Sequence, residues 1–431
     1  MKSIKNYILI VFLGLAFFGF SQKKQNILFT NGYLHVGNGE TMEIATIGVK
    51  GDRIAVVKNT LTYKPKQNEY DTIIDLKGQH LYPGLVAPNS TLGLTEIDAV
   101  RATRDYDEVG QFNPHIRALI AYNVESDVIS TVRTNGVLIT QITPRGGWIT
   151  GSSSIMHLDG WNWEDAAISK DDGIHLNWPN SFPGRGNGAD TQETEKRKIL
   201  YQETKREIYD FFNTAKAYAE KKDHKIPELR LEAMKGCMNG KKRLYIHASE
   251  LQQLLDILDF CREFDIKFPV IVGGYDSYLI TTQLRDAKIP VMLPRVHMLP
   301  ENTDDPIDLP FRLPSILQNA GVQFCLQNEG DMEAMNARNI PFLAGHCLGF
   351  GLTNEEALRA VSLSSCEIMG IDNDYGTIEE GKKATLFVST GGALDMITNN
   401  VKMALMDGIW VDLNNRQYEL YKKYKNKYKM Q

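Results

Sequence analysis

The sequence lacks the short motifs that identify the most common catalytic and nucleotide-binding sites. It contains no Gly-x4-Gly-Lys-Ser/Thr loop, no Gly-x-Ser-x-Gly turn and no His-Glu-x-x-His pair. These absences remove the sequence signatures of phosphate-binding loops, serine-type elbows and zincin helices. Any function must therefore be read from residues that are far apart in the chain.

Cysteine is also scarce, and the chain has no excess of positive charge. The five cysteines are odd in number, scattered and without a Cys-x-x-Cys pair, which argues against a disulfide framework and a zinc knuckle. We expect them to be small buried residues. The formal net charge is -5, so the chain has no basic footprint and nucleic acid is not an expected partner.

Long hydrophobic runs are absent except at the N-terminus. Lys2 and Lys5 precede an unbroken apolar run over residues 7–20, and Gly19-Phe20-Ser21 follows the small-large-small pattern of a cleavage site. We therefore predict a signal peptide over residues 1–21 and an exported protein, periplasmic or extracellular. No later stretch reaches the roughly 20 apolar residues of a membrane helix, so no span is expected after cleavage. The alternative is an uncleaved N-terminal anchor.

Both ends of the remaining chain have the texture of short β-strands. Residues 45–50 and 53–57 flank a Gly-Asp turn, and residues 384–388 and 401–406 precede an Asp-Gly turn. Neither end is large enough to form a core alone. We predict one composite β-sandwich domain built from residues 22–82 and 375–431.

The middle of the chain alternates short apolar runs with charged helical stretches. Residues 137–142, 243–247 and 323–326 are candidate strands, and residues 250–264 are a candidate helix. This alternation is typical of a parallel α/β architecture. We assign residues 83–374 to this domain.

Several segments, in order, resemble the amidohydrolase superfamily, in particular its imidazolonepropionase-like branch. Pro83-Gly84-Leu85-Val86-Ala87-Pro88-Asn89-Ser90-Thr91 resembles Pro-Gly-Leu-Ile-Asp-x-His-x-His, and residues 376–386 resemble the closing Gly-Ser-Ile-Glu-x-Gly-Lys-x-Ala-Asp-Leu. Residues 245–248 also resemble a family segment. The resemblance implies an α/β fold: a (β/α)8 TIM-type barrel with a small composite β-sandwich.

The resemblance also implies a metal centre that activates water for hydrolysis of a carbon–nitrogen bond other than a peptide bond. The family pattern needs two histidines on the first strand, one each on the fifth and sixth, and an aspartate on the last. Here the first-strand positions are Asn89 and Thr91, and Gly273-Gly274 stand where the sixth-strand histidine should be. Only His247 and Glu329 remain as candidate metal ligands, for zinc, iron or manganese, and the cofactor is one such ion or none.

We predict His247, Glu329 and Asp331 as catalytic residues, Asp331 being an alternative to Glu329 as the working carboxylate. Candidate substrate-binding residues are Asn89, Thr91, Arg145 and His297. Arg145 opens a loop rich in backbone donors, 144–154, which suits an anionic group. His175 has no motif and no spacing to a partner, so no role is predicted for it.

Three functions follow, and the sequence leaves them open. The first is an amidohydrolase acting on a small molecule with a reduced metal site. The second is a catalytically inactive subunit or binding protein of the same fold, associated with an active relative, in which metal ligands are lost without loss of the barrel. The third is metal-free hydrolysis with His247 as general base, for which the sequence names no nucleophile and no oxyanion donor. A homo-oligomer or a hetero-oligomer with an active relative is the expected assembly.

Overall fold

The computed structural model describes residues 25–66, 68–180, 191–221 and 223–430. The predicted signal peptide, residues 1–21, lies outside these residues. The described chain forms two eight-stranded sheets with helices around the second. This is the predicted α/β class.

The first sheet combines strands from both ends of the chain, in the order β16-β15-β14-β5-β1-β2-β3, with β4 paired to β1. The join is antiparallel between β5 and β14, where Pro83 faces Leu386. Its buried side includes Phe29, Ile47 and Leu405. The strands are β1 (Ile27–His35), β2 (Thr41–Lys50), β3 (Arg53–Asn59), β4 (Thr72–Asp75), β5 (His80–Pro83), β14 (Leu386–Ser389), β15 (Val401–Met406) and β16 (Ile409–Trp410).

The second sheet follows chain order from β6 to β13 and forms the barrel. Its strands are almost fully buried, which explains their apolar sequences. The strands are β6 (Leu85–Ser90), β7 (Val137–Ile142), β8 (Ile149–His157), β9 (Ala167–Asn177), β10 (Arg243–Ala248), β11 (Pro269–Gly273), β12 (Val291–Leu293) and β13 (Phe324–Leu326).

One barrel strand departs from the all-parallel pattern. β8 pairs antiparallel with both β7 and β9, whereas the other neighbouring pairs are parallel. It contains residues 149–154, which the sequence placed in a donor-rich loop. That expectation was wrong beyond Trp148, because the backbone donors of this segment are used in the sheet.

Helices surround the barrel, and several of them begin with a side-chain cap. Capping boxes pair Glu250 with Gln253 and Thr353 with Glu356. The helices are α1 (Asp127–Arg133), α2 (Trp163–Ala166), α3 (Thr191–Glu220), α4 (Leu229–Met238), α5 (Leu251–Glu263), α6 (Thr281–Ala287), α7 (Leu309–Ala320), α8 (Glu333–Asn336), α9 (Ile340–His346), α10 (Asn354–Ala360), α11 (Leu363–Met369) and α12 (Arg416–Tyr428).

Two expectations about composition can be compared with this fold. All five cysteines are free thiols in buried positions, as predicted. Among the described residues, no helix combines the length and the apolar character needed to cross a membrane.

Candidate functional site

A cavity of about 660 Å³ opens where the parallel barrel strands end. The carboxyl ends of barrel strands are where catalytic groups of such barrels are placed. Six of the seven predicted site residues line this cavity: Asn89, Thr91, Arg145, His247, Glu329 and Asp331. Their convergence brings together residues from β6, β10 and the loops after β7 and β13.

His297 does not line this cavity. Its ring lies 4.2 Å from that of His346 and 5.7 Å from that of Phe311, measured between centroids. These contacts place it against α7 and α9. We therefore leave His297 out of the site.

Asn89 ends the first barrel strand in a left-handed conformation, with φ +49°. Its main-chain N–H donates to Oε1 of Gln141 at 3.2 Å, and its side-chain amide donates to Oε1 of Gln327. The side chain thus links β6 to the residue that follows β13. Because the sheet path ends at these two strands, this bond bridges the gap in the barrel.

Arg145 is one of two arginines, with Arg104, that line the cavity. Its guanidinium donates to the side-chain oxygen of Asn89 at 2.7 Å, to the Asn89 carbonyl at 2.9 Å and to Glu333 at 2.6 Å. Glu333 also accepts from the main-chain N–H of Thr91. The sequence analysis missed Glu333, which stands in the first turn of the short helix α8 and belongs to no motif.

Glu329 is the carboxyl group with the largest change in acidity at the cavity. The pKa of Glu329 is raised to about 7, because burial outweighs the opposing charge of Arg145 and the charge of Glu333 acts in the same direction as burial. Gln327 donates to the carboxyl at 3.0 Å. The residue as a whole keeps some exposure, although its carboxyl is enclosed by protein. A carboxyl of this kind exchanges protons near neutral pH.

His247 reaches the same cavity from β10 and is paired with a second histidine. Its Nε2 lies 2.9 Å from Nδ1 of His175, which is fully buried in β9. Burial, together with the nearby Arg145 cation, lowers the pKa of His247 to about 3. Burial also lowers the pKa of His175. Both imidazoles are therefore neutral. The expectation that His175 has no partner was wrong.

A buried carboxyl holds the barrel together beneath this pair. Asp172 accepts hydrogen bonds from Tyr245 at 2.7 Å, from Gln141 at 2.8 Å and from Ser153 at 2.8 Å. Burial raises the pKa of Asp172, while these donors act in the opposite direction. Four neighbouring strands, β7 to β10, are joined by these bonds.

The residues at the cavity do not fit the metal centre that the sequence resemblance implies. Catalytic zinc sites usually have three protein ligands, and no three His, Cys, Asp or Glu side chains within the described ranges are grouped to hold an ion. Asn89 is instead engaged with Arg145, whose charge repels a cation. We assign no chemical step to a metal.

Gly273 explains why the sixth strand offers no ligand. Its φ is +99°, and a Cβ at this position would lie 2.8 Å from the carbonyl oxygen of Ala248. L-residues rarely adopt this conformation, and the contact is too close for any side chain. The backbone at the end of β11 is thus built for glycine.

Comparisons with known proteins agree on the architecture. No protein-family model matches the chain, and no curated protein matches its sequence. An amidohydrolase from Thermotoga maritima has a similar structure, with a TM-score of 0.77 and 23% identity over 90% of this chain and 100% of that one.

Two further structures are similar at lower identity. A molinate hydrolase matches with a TM-score of 0.55 and 14% identity, over 91% of this chain and 95% of that one. A phenylurea hydrolase B matches with a TM-score of 0.51 and 14% identity, over 90% and 97%. The chain therefore has the fold of these amidohydrolase and hydrolase structures.

Proposed function

We propose that the protein is a hydrolase that cleaves a carbon–nitrogen bond, other than a peptide bond, in a small molecule bound at the barrel mouth. One observation carries the proposal: His247, Glu329 and Arg145 meet in a single cavity at the carboxyl ends of the barrel strands. The names of similar structures, molinate hydrolase and phenylurea hydrolase, support this bond class.

The chemistry is acyl transfer to water. The Glu329 carboxylate accepts a proton from a water molecule as the water oxygen attacks the carbonyl carbon. The charge of Arg145 stabilises the negative oxygen that forms. The protonated Glu329 then gives its proton to the nitrogen, the C–N bond breaks, and the carboxylate is restored. A pKa near 7 suits a group that must act first as a base and then as an acid.

The test is hydrolysis of a panel of amides, ureas, carbamates and thiocarbamates by the mature protein, followed by mass spectrometry. We expect turnover that survives treatment with a chelator and is lost in Glu329→Gln. Asp331→Asn decides which carboxylate works, because Asp331 lines the same cavity. Glu43→Gln, at an exposed position on β2, is the matched control. Full activity of Glu329→Gln contradicts the mechanism.

A second candidate function is a binding protein or inactive subunit of the same fold. The residues at three ligand positions, Asn89, Thr91 and Gly273, favour it, since none is a metal ligand of the usual kind. This candidate predicts ligand binding at the cavity without turnover, and co-purification with an active relative. Turnover of any panel compound that depends on Glu329 excludes it.

The organisation of the chain is proposed on the same basis. Residues 1–21 would be removed on export, leaving a periplasmic or extracellular protein. Residues 22–82 with 375–431 would form one domain and residues 83–374 the other, which accords with the strand composition of the two sheets. N-terminal sequencing of the protein after export would test cleavage after Ser21.

A further inference from the structure

We propose that His175 is a positioning residue that fixes His247 as the neutral tautomer with its proton on Nδ1. In this arrangement His175 donates from Nδ1–H to Nε2 of His247, and His247 presents an N–H donor to the substrate. The role of this tautomer in catalysis rests on the proposed function. The tautomer assignment itself does not.

The two rings are held by the register of parallel strands β9 and β10. His175 in β9 pairs with Tyr245 in β10, and Tyr245 precedes His247 by two residues. Its ring stacks on that of Tyr245 at 4.5 Å with an angle of 15° between planes. The Tyr245 hydroxyl is in turn fixed by Asp172. His175 therefore has little freedom to turn its nitrogens.

The hydrogen bond between the rings contains one proton, and burial decides which nitrogen carries it. Nε2 of His175 is buried and has no hydrogen-bond partner among the residues that the structure describes. If His247 donated to Nδ1 of His175, the proton of His175 would be on this partnerless Nε2. A buried N–H without an acceptor is rarer in proteins than an unsatisfied acceptor. The proton of His175 is therefore on Nδ1.

This assignment changes the role of His247. Its Nε2 lone pair is used by His175, so that nitrogen is neither a general base nor a metal ligand. Nδ1–H is the remaining polar group of the ring, and His247 lines the cavity. We assign it to the carbonyl oxygen of the substrate, where it acts beside the Arg145 cation as negative charge develops.

Nitrogen-15 NMR of the imidazole rings in the full mature chain tests the tautomer without any substrate. His247→Asn identifies the His247 signals. We expect wild-type His247 to show a protonated Nδ1 and an unprotonated Nε2. A protonated Nε2 would overturn the proposal even if the protein hydrolyses a panel compound.

Two variants test the cause. His175→Phe keeps a ring against Tyr245 but removes the donor, and we expect His247 to become a mixture of tautomers. His175→Gln retains an N–H donor, so we expect the wild-type tautomer to return. An unchanged His247 spectrum in His175→Phe would show that His175 does not set the tautomer.

A kinetic measurement then connects the tautomer to the proposed reaction. We expect kcat to fall by about twofold to tenfold in His175→Phe, with a small change in KM, because only part of the His247 population still presents Nδ1–H to the transition state. Absence of turnover in the wild type would contradict the proposed function and leave the NMR result standing. An unchanged kcat in His175→Phe would refute the effect of the tautomer on catalysis, but not the tautomer assignment.

Discussion

The guanidinium of Arg145 donates a 2.7 Å hydrogen bond to the side-chain oxygen of Asn89, at a position where the family pattern has a histidine. A permanent cation thus stands beside the first barrel strand. It compensates the carboxylate of Glu333 and disfavours protonation of His247. At the cavity, Arg145 therefore acts both on an acidic side chain and on a histidine.

Replacing Arg145 with methionine should destabilise the protein. The variant leaves the Glu333 carboxylate, whose side chain is 12% exposed, without its ion-pair partner. We expect the free energy of unfolding to fall by about 2 kcal/mol. Chemical denaturation measures this loss.

The double variant Arg145→Met/Glu333→Gln is the control, because it removes both charges. It should recover part of the stability, since no unpaired carboxylate remains. A single variant as stable as the wild type would mean that the pair contributes nothing to the fold.

Replacing Glu329 with glutamine should stabilise the protein at high pH while removing hydrolysis. The pKa of Glu329 is raised from 4.5 to about 7 on folding, so its ionised form is disfavoured in the folded state. The resulting loss of folding free energy is absent below about pH 4.5, grows between about pH 4.5 and 7, and reaches its full size above pH 7. We expect Glu329→Gln to match the wild type at pH 4.5 and to exceed its stability by about 3 kcal/mol at pH 8.5.

Chemical denaturation of both proteins across this pH range shows whether the stability difference between Glu329→Gln and the wild type grows with pH. A stability difference that shrinks as the pH rises would show that the carboxylate is stabilised in the folded protein. In that case Glu329 would be a poor proton acceptor at neutral pH.

Gly273→Ala should lower the free energy of unfolding more than an alanine at another glycine with a similar positive φ. Gly39 has φ +107°, and a Cβ added there would meet no atom within 4 Å, so Gly39→Ala tests the backbone conformation alone. We expect a loss of about 1 kcal/mol there. Gly273→Ala adds the contact with the Ala248 carbonyl and should lose about 1 to 3 kcal/mol more. Equal losses would contradict the close approach.

Removal of divalent metal should leave the melting temperature unchanged. The described cavity residues do not form a three-ligand set, and an ion that binds the folded state tightly would raise stability by mass action. The measurement is a thermal melt before and after dialysis against a chelator, with elemental analysis of both samples. A fall in melting temperature that added zinc reverses would establish a metal site.

The fold was predictable because its signals are local and occur in order. The strand-like ends, the alternation of strands and helices, and the Pro83-Gly84 junction each need only a few neighbouring residues. His247 could be placed at a strand end for the same reason. The assignment to the imidazolonepropionase-like branch stays a prediction.

The rest of the site depends on contacts that a single sequence does not encode locally. His175 and His247 are 72 residues apart and meet only through the register of β9 and β10. The apolar residues on either side of His175 were an available signal, since they place this histidine inside a strand. The reversal of β8 left no such signal, because a buried strand has the same sequence texture in either direction.

The pairing of β5 with β14 has a consequence for how the chain reaches its native state. Pro83 and Leu386 come from opposite ends, so the first sheet stays incomplete until nearly all of the chain has been synthesised. Contacts of such long sequence separation form late and slow folding. Until then the apolar edge of β5 around Leu81, which Val388 pairs with in the native sheet, is open to association with other chains. Shortening the C-terminus before β14 should therefore yield aggregation during production, not a smaller soluble barrel.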